Sequence, residues 1–434
     1  MTNKSMIIGL SLAPTWVSGS SWRQSDSQIE AFYDIDYYID LAKRAEALKL
    51  DFVFRPDSLF VDYAELENSP GFSGLDPTLL LTAVATHTQR IGLITTASTT
   101  FNQPFHVARQ LQSLNWISKG RIAWNIVTAL DGQQNFGLEV MPPADEKYTQ
   151  AAEFTEIVKS LWQSFPNHSL CFNRDTGQYA NSTQIQPINH NGNYFKVAGP
   201  LSIPAFKDET LPIVQAGASD TGKEFAATVA HAIFAATPNK QVAISLRNEL
   251  RQRANKLGRD ESDIRVLSGV SLFLAESEAQ AKQLYSETQS SKSLSKRIGF
   301  IKQATGIDVS TLASDAVISA AMLQPVSVAP RSRTHAQLLR NKIEQQPITV
   351  DELLKSPEVA ASSHWQIIGT VSQAADEIAD WFNDGAIDGV ILLPGGATSS
   401  LNLALDKLVP ELINRGVFHN SYDSDTFLSH LRAK

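Results

Sequence analysis

The sequence has almost no cysteine and no long hydrophobic run. Cys171 is the single cysteine among 434 residues, so the chain contains no internal disulfide. A chain of this size can bury a sufficient core without disulfides, and their absence fits a reducing compartment. We therefore expect a cytoplasmic protein. No stretch approaches the ~20 apolar residues of a membrane span. The N-terminal MIIGLSLAP (6–14) is typical of a strand rather than of a signal peptide.

Basic charge is also scarce. The chain has 37 Lys and Arg against 45 Asp and Glu, a formal net charge of −8, and no basic stripe. Nucleic acid and anionic membrane surfaces are therefore not expected as partners. The nine histidines form no HExxH motif and no pair of them lies near the cysteine, so no metal site is predicted. The glycine-rich signatures of a dinucleotide fold, a P-loop and a GxSxG nucleophile elbow are absent as well.

The segments that are present alternate between strand and helix patterns. Eight short, nearly continuous apolar runs predict strands buried on both faces; they lie at 6–14, 52–57, 91–98, 122–129, 213–217, 232–237, 266–275 and 389–395. Segments with apolar residues at helical spacing follow them, at 33–49, 75–89, 104–118, 148–162, 221–232, 239–258, 371–385 and 403–416. Eight such units predict an α/β fold, a (β/α)8 TIM barrel, with a doubly wound open sheet as the alternative.

Two segments are longer than the loops of a minimal barrel. Residues 163–212, after the fourth strand, are rich in Asn, Gln and Pro and predict a hairpin-like excursion. Residues 276–388, after the seventh strand, form a second and larger insertion. Insertions at the C-terminal ends of barrel strands usually cover the active site. We therefore predict one domain over 1–434 that carries 276–388 as a lid.

Small polar side chains stand at the C-terminal ends of the predicted strands, where barrel enzymes place their functional groups. They are Asp57, Thr95, Thr96, Ser98, Asn125, Thr128 and Ser219. Each has a local alternative, since Asp57 could cap a turn and Thr96 could bond to nearby backbone. Leaving such groups buried and unpaired costs roughly 1–3 kcal/mol each. Together they predict a large polar ligand that lies across the barrel mouth.

Ser219 directly precedes a predicted helix, where it could act only as an N-cap. Thr221 and Glu224 have the spacing of a capping box at the same helix start. A helix N-terminus is also a site for anions, because its first N–H groups are free and its dipole favours negative charge. The segment therefore indicates either a simple cap or an anion site.

The order of several motifs gives the sequence a resemblance to a known family. They include LDFVFRPDSLF (50–60), IGLITTASTTFNQPFHVARQ (91–110), GRIAWNIVT (120–128), EKYTQAAEFTEIVKSLW (146–162) and PIVQAGASDTGKEFAA (212–227). The sequence resembles flavin-dependent monooxygenases of the bacterial luciferase-like superfamily, in the branch of nitrilotriacetate, EDTA and dibenzothiophene sulfone monooxygenases. The resemblance covers nearly the whole chain and implies a (β/α)8 barrel.

The resemblance also implies an FMN site. Asp57 and Thr96 match positions that contact the flavin. Asn125 and the backbone around Val127 and Thr128 match the segment that lies against the isoalloxazine ring. Tyr148 and Ser219 match positions that hold the phosphate side of the cofactor.

One position departs from the family pattern. The family usually has a histidine four residues before the tyrosine, and this chain has Ala144 there. A side chain that could donate a hydrogen bond is therefore missing from the loop. Lys147 is one residue that could supply a donor instead.

Similar enzymes use reduced FMN as a co-substrate together with O2. A separate NAD(P)H-dependent flavin reductase supplies the reduced flavin, and the monooxygenase contributes orientation and exclusion of water. In this branch the oxygenation of small, often anionic compounds leads to cleavage of C–N or C–S bonds. The resemblance therefore implies a small-molecule substrate, a reductase partner and a homodimer or homotetramer.

Four arginines are candidates for binding an anionic substrate, because a guanidinium offers a planar fork to a carboxylate or sulfonate. They are Arg23, Arg55, Arg331 and Arg333. Arg331 and Arg333 could equally be surface charges. No residue is assigned as a catalytic acid or base.

Two other functions remain open at this point. The chain could be a deazaflavin- or flavin-dependent oxidoreductase of the same superfamily, or a flavin-binding protein without catalysis. A product whose formation depends on O2 would separate the monooxygenase from both alternatives.

Overall fold

Eight parallel strands close into a barrel. The computed structural model describes residues 5–217, 219–289, 294–325 and 332–432. The strands are β1 (Ile7–Ser11), β2 (Phe52–Arg55), β3 (Gly92–Ser98), β4 (Ile122–Val127), β5 (Ile213–Ala216), β6 (Ala232–Ala235), β7 (Arg265–Leu274) and β8 (Gly389–Pro394). Each pairs with its neighbours in chain order, and β8 pairs with β1. The (β/α)8 barrel is thus confirmed, and the open sheet is wrong.

The barrel interior is filled by alternate residues of the strands. Phe54 and Ile94 belong to one interior cluster with Leu267 and Ile391 from the far wall. The residues between them face the helices instead, as Val53 and Leu93 do in the outer core. Both faces of each strand are therefore apolar, which explains the continuous hydrophobic runs in the sequence.

A short C-terminal helix, Phe427–Arg432, closes the N-terminal end of the barrel. The Phe427 ring meets the Phe52 ring edge-on with centroids 5.5 Å apart. The backbone N–H of Phe427 donates to the carbonyl of Gly120, just before β4. The site must therefore lie at the opposite end, where the strands point their C-termini.

The helices around the barrel are close to their predicted bounds. They are α1 (Ile35–Ala47), α2 (Pro77–His87), α3 (Pro104–Ser118), α4 (Ala144–Gln163), α5 (Asp220–Val229) and α6 (Lys240–Lys256). After β8 a helical stretch runs through Thr398–Leu403, a π-helical turn at Ala404–Leu408 and Val409–Asn414. A short helix, Tyr63–Leu66, lies in the loop after β2.

The first insertion contains two small hairpins, as its composition predicts. Leu170–Asn173 pairs with Gln178–Ala180, and His190–Asn191 pairs with Lys196–Val197. The second hairpin is held to α4 through Glu153, which accepts from the backbone N–H of Phe195 at 2.9 Å. The insertion therefore lies against the outside of the barrel.

The second insertion has a small apolar core of its own. Its helices are α7 (Glu278–Gln289), α8 (Leu294–Thr305), α9 (Arg333–Gln345), Val350–Lys355 and Pro357–Ala360. A two-residue strand, Val317–Ile318, pairs with Ile348–Thr349. Ile301, Leu339 and Leu353 pack together within it.

The insertion ends with a strand that the sequence did not predict. Trp365–Gly369 pairs in parallel with the second half of β7 and leads into α10 (Val371–Asn383). The Trp365 ring stacks on Trp381 of α10 with centroids 3.7 Å apart. The segment alternates between buried and half-buried residues, so it lacks the continuous apolar run by which the other strands were found.

In the parts of the chain that the structure describes, no helix combines the length and the apolar character needed to cross a bilayer. The same residues contain no group of three or more His, Cys, Asp or Glu placed to hold a metal ion.

Candidate active site

Thr96 and Asn125 lie opposite each other on β3 and β4 at the barrel mouth. Asn125 Nδ2 donates to Thr96 Oγ1 at 3.0 Å, and Thr96 Oγ1 donates to the backbone carbonyl of Arg55 at 2.8 Å. Both side chains are almost fully buried, with exposures of 2% and 3%. Within the described residues, Asn125 Oδ1 accepts no hydrogen bond. A buried, unpaired amide oxygen needs a donor from a bound ligand or an ordered water.

Asp57 follows β2 and is half-buried. Its Oδ1 accepts the backbone N–H of Ser58 at 2.9 Å, so it does cap the local turn. Burial raises the pKa of Asp57, and the nearby Asp76 adds to this, while Ser58 and Arg55 act in the opposite direction. The carboxyl therefore lies near Arg55 and Asp76, at the loop that follows β2.

The end of β4 is fixed by the neighbouring loop. The backbone carbonyl of Val127 accepts the N–H of Thr99 at 3.0 Å. The N–H of Ala129 donates to Thr100 Oγ1 at 3.0 Å. These bonds hold the backbone through Val127 and Thr128 in one conformation at the mouth.

Tyr148 lies beside Ser219. Tyr148 is in the second turn of α4, and its hydroxyl is close to the side chains of Ser219, Thr128 and Gln215. Burial raises the pKa of Tyr148, and these three polar neighbours oppose that effect. Within the described residues, Gln215 Oε1 is buried and has no partner. The cluster therefore joins the ends of β4 and β5 to the start of α4.

Ser219 is the N-cap of α5. Its Oγ accepts the backbone N–H of Gly222 at 3.2 Å. The predicted capping box of Thr221 and Glu224 is wrong, because the helix begins earlier and Thr221 Oγ1 donates to Asp145 Oδ1 at 3.1 Å. The N-cap explanation is thus correct for Ser219, and it leaves the anion site open as a second role.

Two glycines allow the close approach of Tyr148 to the start of α5. A Cβ on Gly222 would lie 2.7 Å from the Tyr148 hydroxyl oxygen, and a Cβ on Gly217 would lie 3.2 Å from it. Gly217 also has a φ of +148°. The first of these distances is shorter than real Cβ contacts, so glycine is required at 222.

Ala144 is the first residue of α4, which has no side-chain cap. Three residues later, Lys147 reaches back from α4, and its Nζ donates to the carbonyl of Ala129 at 2.6 Å. Burial lowers the pKa of Lys147, and Arg333 lowers it further, while Asp131 acts in the opposite direction. Lys147 therefore braces the loop after β4.

Arg55 is buried and held by the protein itself. Its Nη1 donates to the carbonyl of Leu12 at 2.8 Å, and its Cζ lies 5.8 Å from the centre of the Tyr38 ring. Burial lowers the pKa of Arg55, although Tyr38 and Asp57 act in the opposite direction. It packs on the outer side of β2, beside the interior residue Phe54.

Arg23 and Arg333 lie on separate elements. Arg23 is exposed in the 3-10 turn Ser21–Arg23. Arg333 begins α9 in the second insertion and pairs with Asp145 of α4 at 3.1 Å. Arg331 lies outside the described residues.

Sequence reasoning missed His364. Its ring comes from the second insertion and stacks on Phe234 of β6 with centroids 5.0 Å apart. A Cβ on Gly269 of β7 would lie 2.5 Å from His364 Nδ1, so this glycine makes room for the ring. Burial lowers the pKa of His364 to about 3, with a smaller contribution from His335. The available signal was a glycine inside an apolar strand, which often marks a close approach.

The family model for luciferase-like monooxygenases matches residues 15–388. The N-acetyl-S-(2-succino)cysteine monooxygenase of Bacillus subtilis (strain 168) is 34% identical over 98% of this chain and 96% of its own length. Nitrilotriacetate monooxygenase component A of Aminobacter aminovorans is 32% identical over 99% of this chain and 96% of its own.

Among solved structures, a riboflavin lyase with modified FMN and riboflavin superposes with a TM-score of 0.84. It is 26% identical, and the match covers 99% of this chain and 96% of that one. The likeness therefore extends over the barrel and over both insertions.

Proposed function

The chain belongs to the luciferase-like monooxygenase family, and we propose that it uses reduced FMN and O2 to oxygenate a small organic substrate. The observation that carries this proposal is the unpaired Oδ1 of Asn125, buried at the barrel mouth. The isoalloxazine ring has an N–H group that can donate a hydrogen bond to this oxygen. Among the described residues, no group donates to it.

The phosphate end of the ligand fits the start of α5. FMN needs an anion site about one ribityl chain away from its ring. Val214 of β5 pairs with Asn125, and the chain runs from the end of β5 to Ser219. The N-terminus of α5 favours a dianion through its dipole and free N–H groups. Tyr148 and Ser219 bring hydroxyl groups to the same place. The two ends of the site therefore match the two polar ends of FMN.

Reduced FMN, when bound, supplies the electrons and the reaction with O2. The chain's own residues orient and enclose it. Asn125, fixed by Thr96, would set the tilt of the ring, and the backbone at Val127–Thr128 would support its edge. Residues 276–388 would act as the lid within a single domain of 1–434, keeping water from the ring.

The same proposal includes a partner enzyme and an oligomeric state. A separate NAD(P)H-dependent flavin reductase would deliver the reduced cofactor, which is supported by a relative whose name calls it component A. We infer a homodimer or homotetramer from the family resemblance.

We also infer a substrate with a C–N or C–S bond next to the oxygenated atom. The relatives named for nitrilotriacetate and for a succinylated cysteine support this, because both compounds carry carboxylates beside such bonds. Arg23 and Arg331 remain candidates for an anionic group. Arg55 is already committed to Leu12 and Tyr38.

The first experiment measures FMN binding by quenching of flavin fluorescence. The wild type should bind, and Asn125→Leu should bind more weakly, because the ring N–H loses its acceptor. Thr149→Val on the exposed face of α4 is the matched control and should bind like the wild type. Equal binding by all three proteins would contradict the placement of the ring.

The second experiment supplies NADH, a generic flavin reductase, O2 and a panel of amines, thioethers and sulfones. Released amine, thiol or sulfite that depends on O2 supports a monooxygenase. Product that forms without O2 supports the oxidoreductase alternative. Tight binding with no product from any compound supports a flavin-binding protein.

A further inference from the structure

Asp145 joins the second insertion to the start of α5. Its Oδ1 accepts Thr221 Oγ1 at 3.1 Å and lies 3.1 Å from Arg333 Nη1. Because one oxygen atom receives both groups, the Arg333 guanidinium is within about 6 Å of the Thr221 hydroxyl. Thr221 is in the first turn of α5, two residues after Ser219. Arg333 therefore stands at the edge of the proposed phosphate site.

The other cations near this helix have strong partners already. Lys223 pairs with Asp220 at 3.0 Å and with Glu249 at 2.8 Å. Lys147 donates to the carbonyl of Ala129. These groups would have to break buried or networked contacts to reach an anion at the start of α5.

Arg333 is held more loosely. Its side chain is 48% exposed and that of Asp145 is 67% exposed. An ion pair between such exposed groups adds little to stability, because water screens both charges. A phosphate monoester carries more charge than one carboxylate and accepts two parallel hydrogen bonds from a guanidinium. It would therefore compete well with Asp145 for Arg333.

The start of α4 has room for such a donor. Ala144, next to Asp145, brings no hydrogen-bonding side chain, and α4 has no side-chain cap. The donor for an anion bound between α4 and α5 must then come from another element. Arg333 reaches this turn from α9.

We propose that Arg333 exchanges Asp145 for the phosphate of FMN, so that flavin binding ties the second insertion to the N-terminus of α5. The inference rests on the proposed function, and it adds a phosphate ligand that comes from the insertion rather than from the barrel. The contact between the second insertion and the ligand would then depend on the phosphate and not on the flavin ring. Riboflavin, which has the ring and the ribityl chain but no phosphate, should bind without engaging Arg333.

The test compares FMN with riboflavin. Fluorescence titrations would be made with the wild type, Arg333→Gln and the control Lys302→Gln, which removes a cation from a similarly exposed pair with Asp308 in the same insertion. We expect Arg333→Gln to raise the Kd for FMN about three- to tenfold, in the range of one charge-assisted hydrogen bond at a partly exposed site. The Kd for riboflavin should not change. Lys302→Gln should change neither.

A second measurement follows α9 by hydrogen–deuterium exchange. FMN should protect the amides of α9 in the wild type, riboflavin should not, and Arg333→Gln should lose the protection. If Arg333→Gln weakens FMN and riboflavin equally, or weakens neither, Arg333 is not a phosphate ligand. If the wild type binds neither flavin, the proposed function itself fails, and this inference fails with it.

Discussion

Asn125 and Thr96 form one hydrogen-bonded pair across β3 and β4, with Nδ2 and Oγ1 separated by 3.0 Å. The pair continues to the carbonyl of Arg55, which accepts from Thr96 at 2.8 Å. The direction of these bonds fixes the rotation of the Asn125 amide. Its donor faces Thr96, and its acceptor is left for the barrel mouth.

Thr96→Val should destabilise the fold, because it removes the hydroxyl but keeps the shape of the side chain. Asn125 Nδ2 and the carbonyl of Arg55 would both lose a partner in a buried place. We expect a loss of about 1–3 kcal/mol in the free energy of unfolding, measured by urea denaturation. The Thr149 hydroxyl donates to a backbone carbonyl on the exposed side of α4. Thr149→Val should therefore lower the free energy of unfolding by less than ~0.5 kcal/mol. Similar losses in the two variants would argue against the buried network.

Ser219→Ala should separate the two roles of this N-cap. Loss of the cap should cost about 0.5–2 kcal/mol of stability, and the affinity for FMN should fall as well. The matched variant is Asn239→Ala, which removes the cap of α6, where Asn239 Oδ1 accepts from Val242. It should lose a similar stability and leave FMN binding unchanged. Ser219→Glu, which places a negative charge at the phosphate site, should abolish FMN binding, and retained binding would show that the phosphate lies elsewhere.

Gly269→Ala should displace the ring of His364. The new Cβ would lie 2.5 Å from His364 Nδ1 and 2.6 Å from Phe234 Cε2, so these two stacked rings would have to shift. We expect a loss of about 1–3 kcal/mol from overpacking, measured by thermal or urea unfolding. Gly299→Ala is the control, because nothing lies within 4 Å of its Cβ in α8. That change should instead stabilise the helix by up to ~1 kcal/mol.

Acid should destabilise the protein partly through His364. Burial lowers its pKa from 6.5 to about 3 in the folded chain, so the unfolded state binds the extra proton first. The contribution of His364 is then fully present above pH 6.5 and is lost as the pH falls from there toward 3. Unfolding free energies between pH 7 and 5.5 should therefore drop more steeply for the wild type than for His364→Asn. Parallel curves would contradict a neutral, buried imidazole.

His231 should add a second contribution of the same sign. Burial lowers its pKa to about 4, and Arg259 adds to this effect. A residual slope in His364→Asn is therefore expected.

The fold could be predicted from the sequence wherever a segment carried a clear helix pattern or a clear strand pattern. α3 was predicted at 104–118 and occupies Pro104–Ser118, because Pro104 fits the first turn and Lys119 ends the helix at a φ of +59°. β4 was found because both of its faces are buried and apolar. Trp365–Gly369 was missed because it has half-buried positions and leads at once into a strong helix pattern.

The candidate site could be predicted only in part. The residues at the strand ends of β2, β3 and β4 follow from the rule that a barrel gathers these ends at one face. The partner of Arg333 could not be predicted, because Asp145 is almost two hundred residues away and nothing in either segment specifies the pair. His364 was missed for the same reason, since its place over Gly269 depends on how the insertion folds back.

The helix Phe427–Arg432 leaves the filled barrel with one accessible face. Phe427 packs on Phe52 and its N–H donates to the carbonyl of Gly120, so the N-terminal ends of β2 and β4 are covered. Because side chains fill the interior, a ligand approaches the ends of the strands from the opposite face. Loosening this helix should therefore weaken the barrel core and leave the geometry of the Thr96–Asn125 pair unchanged.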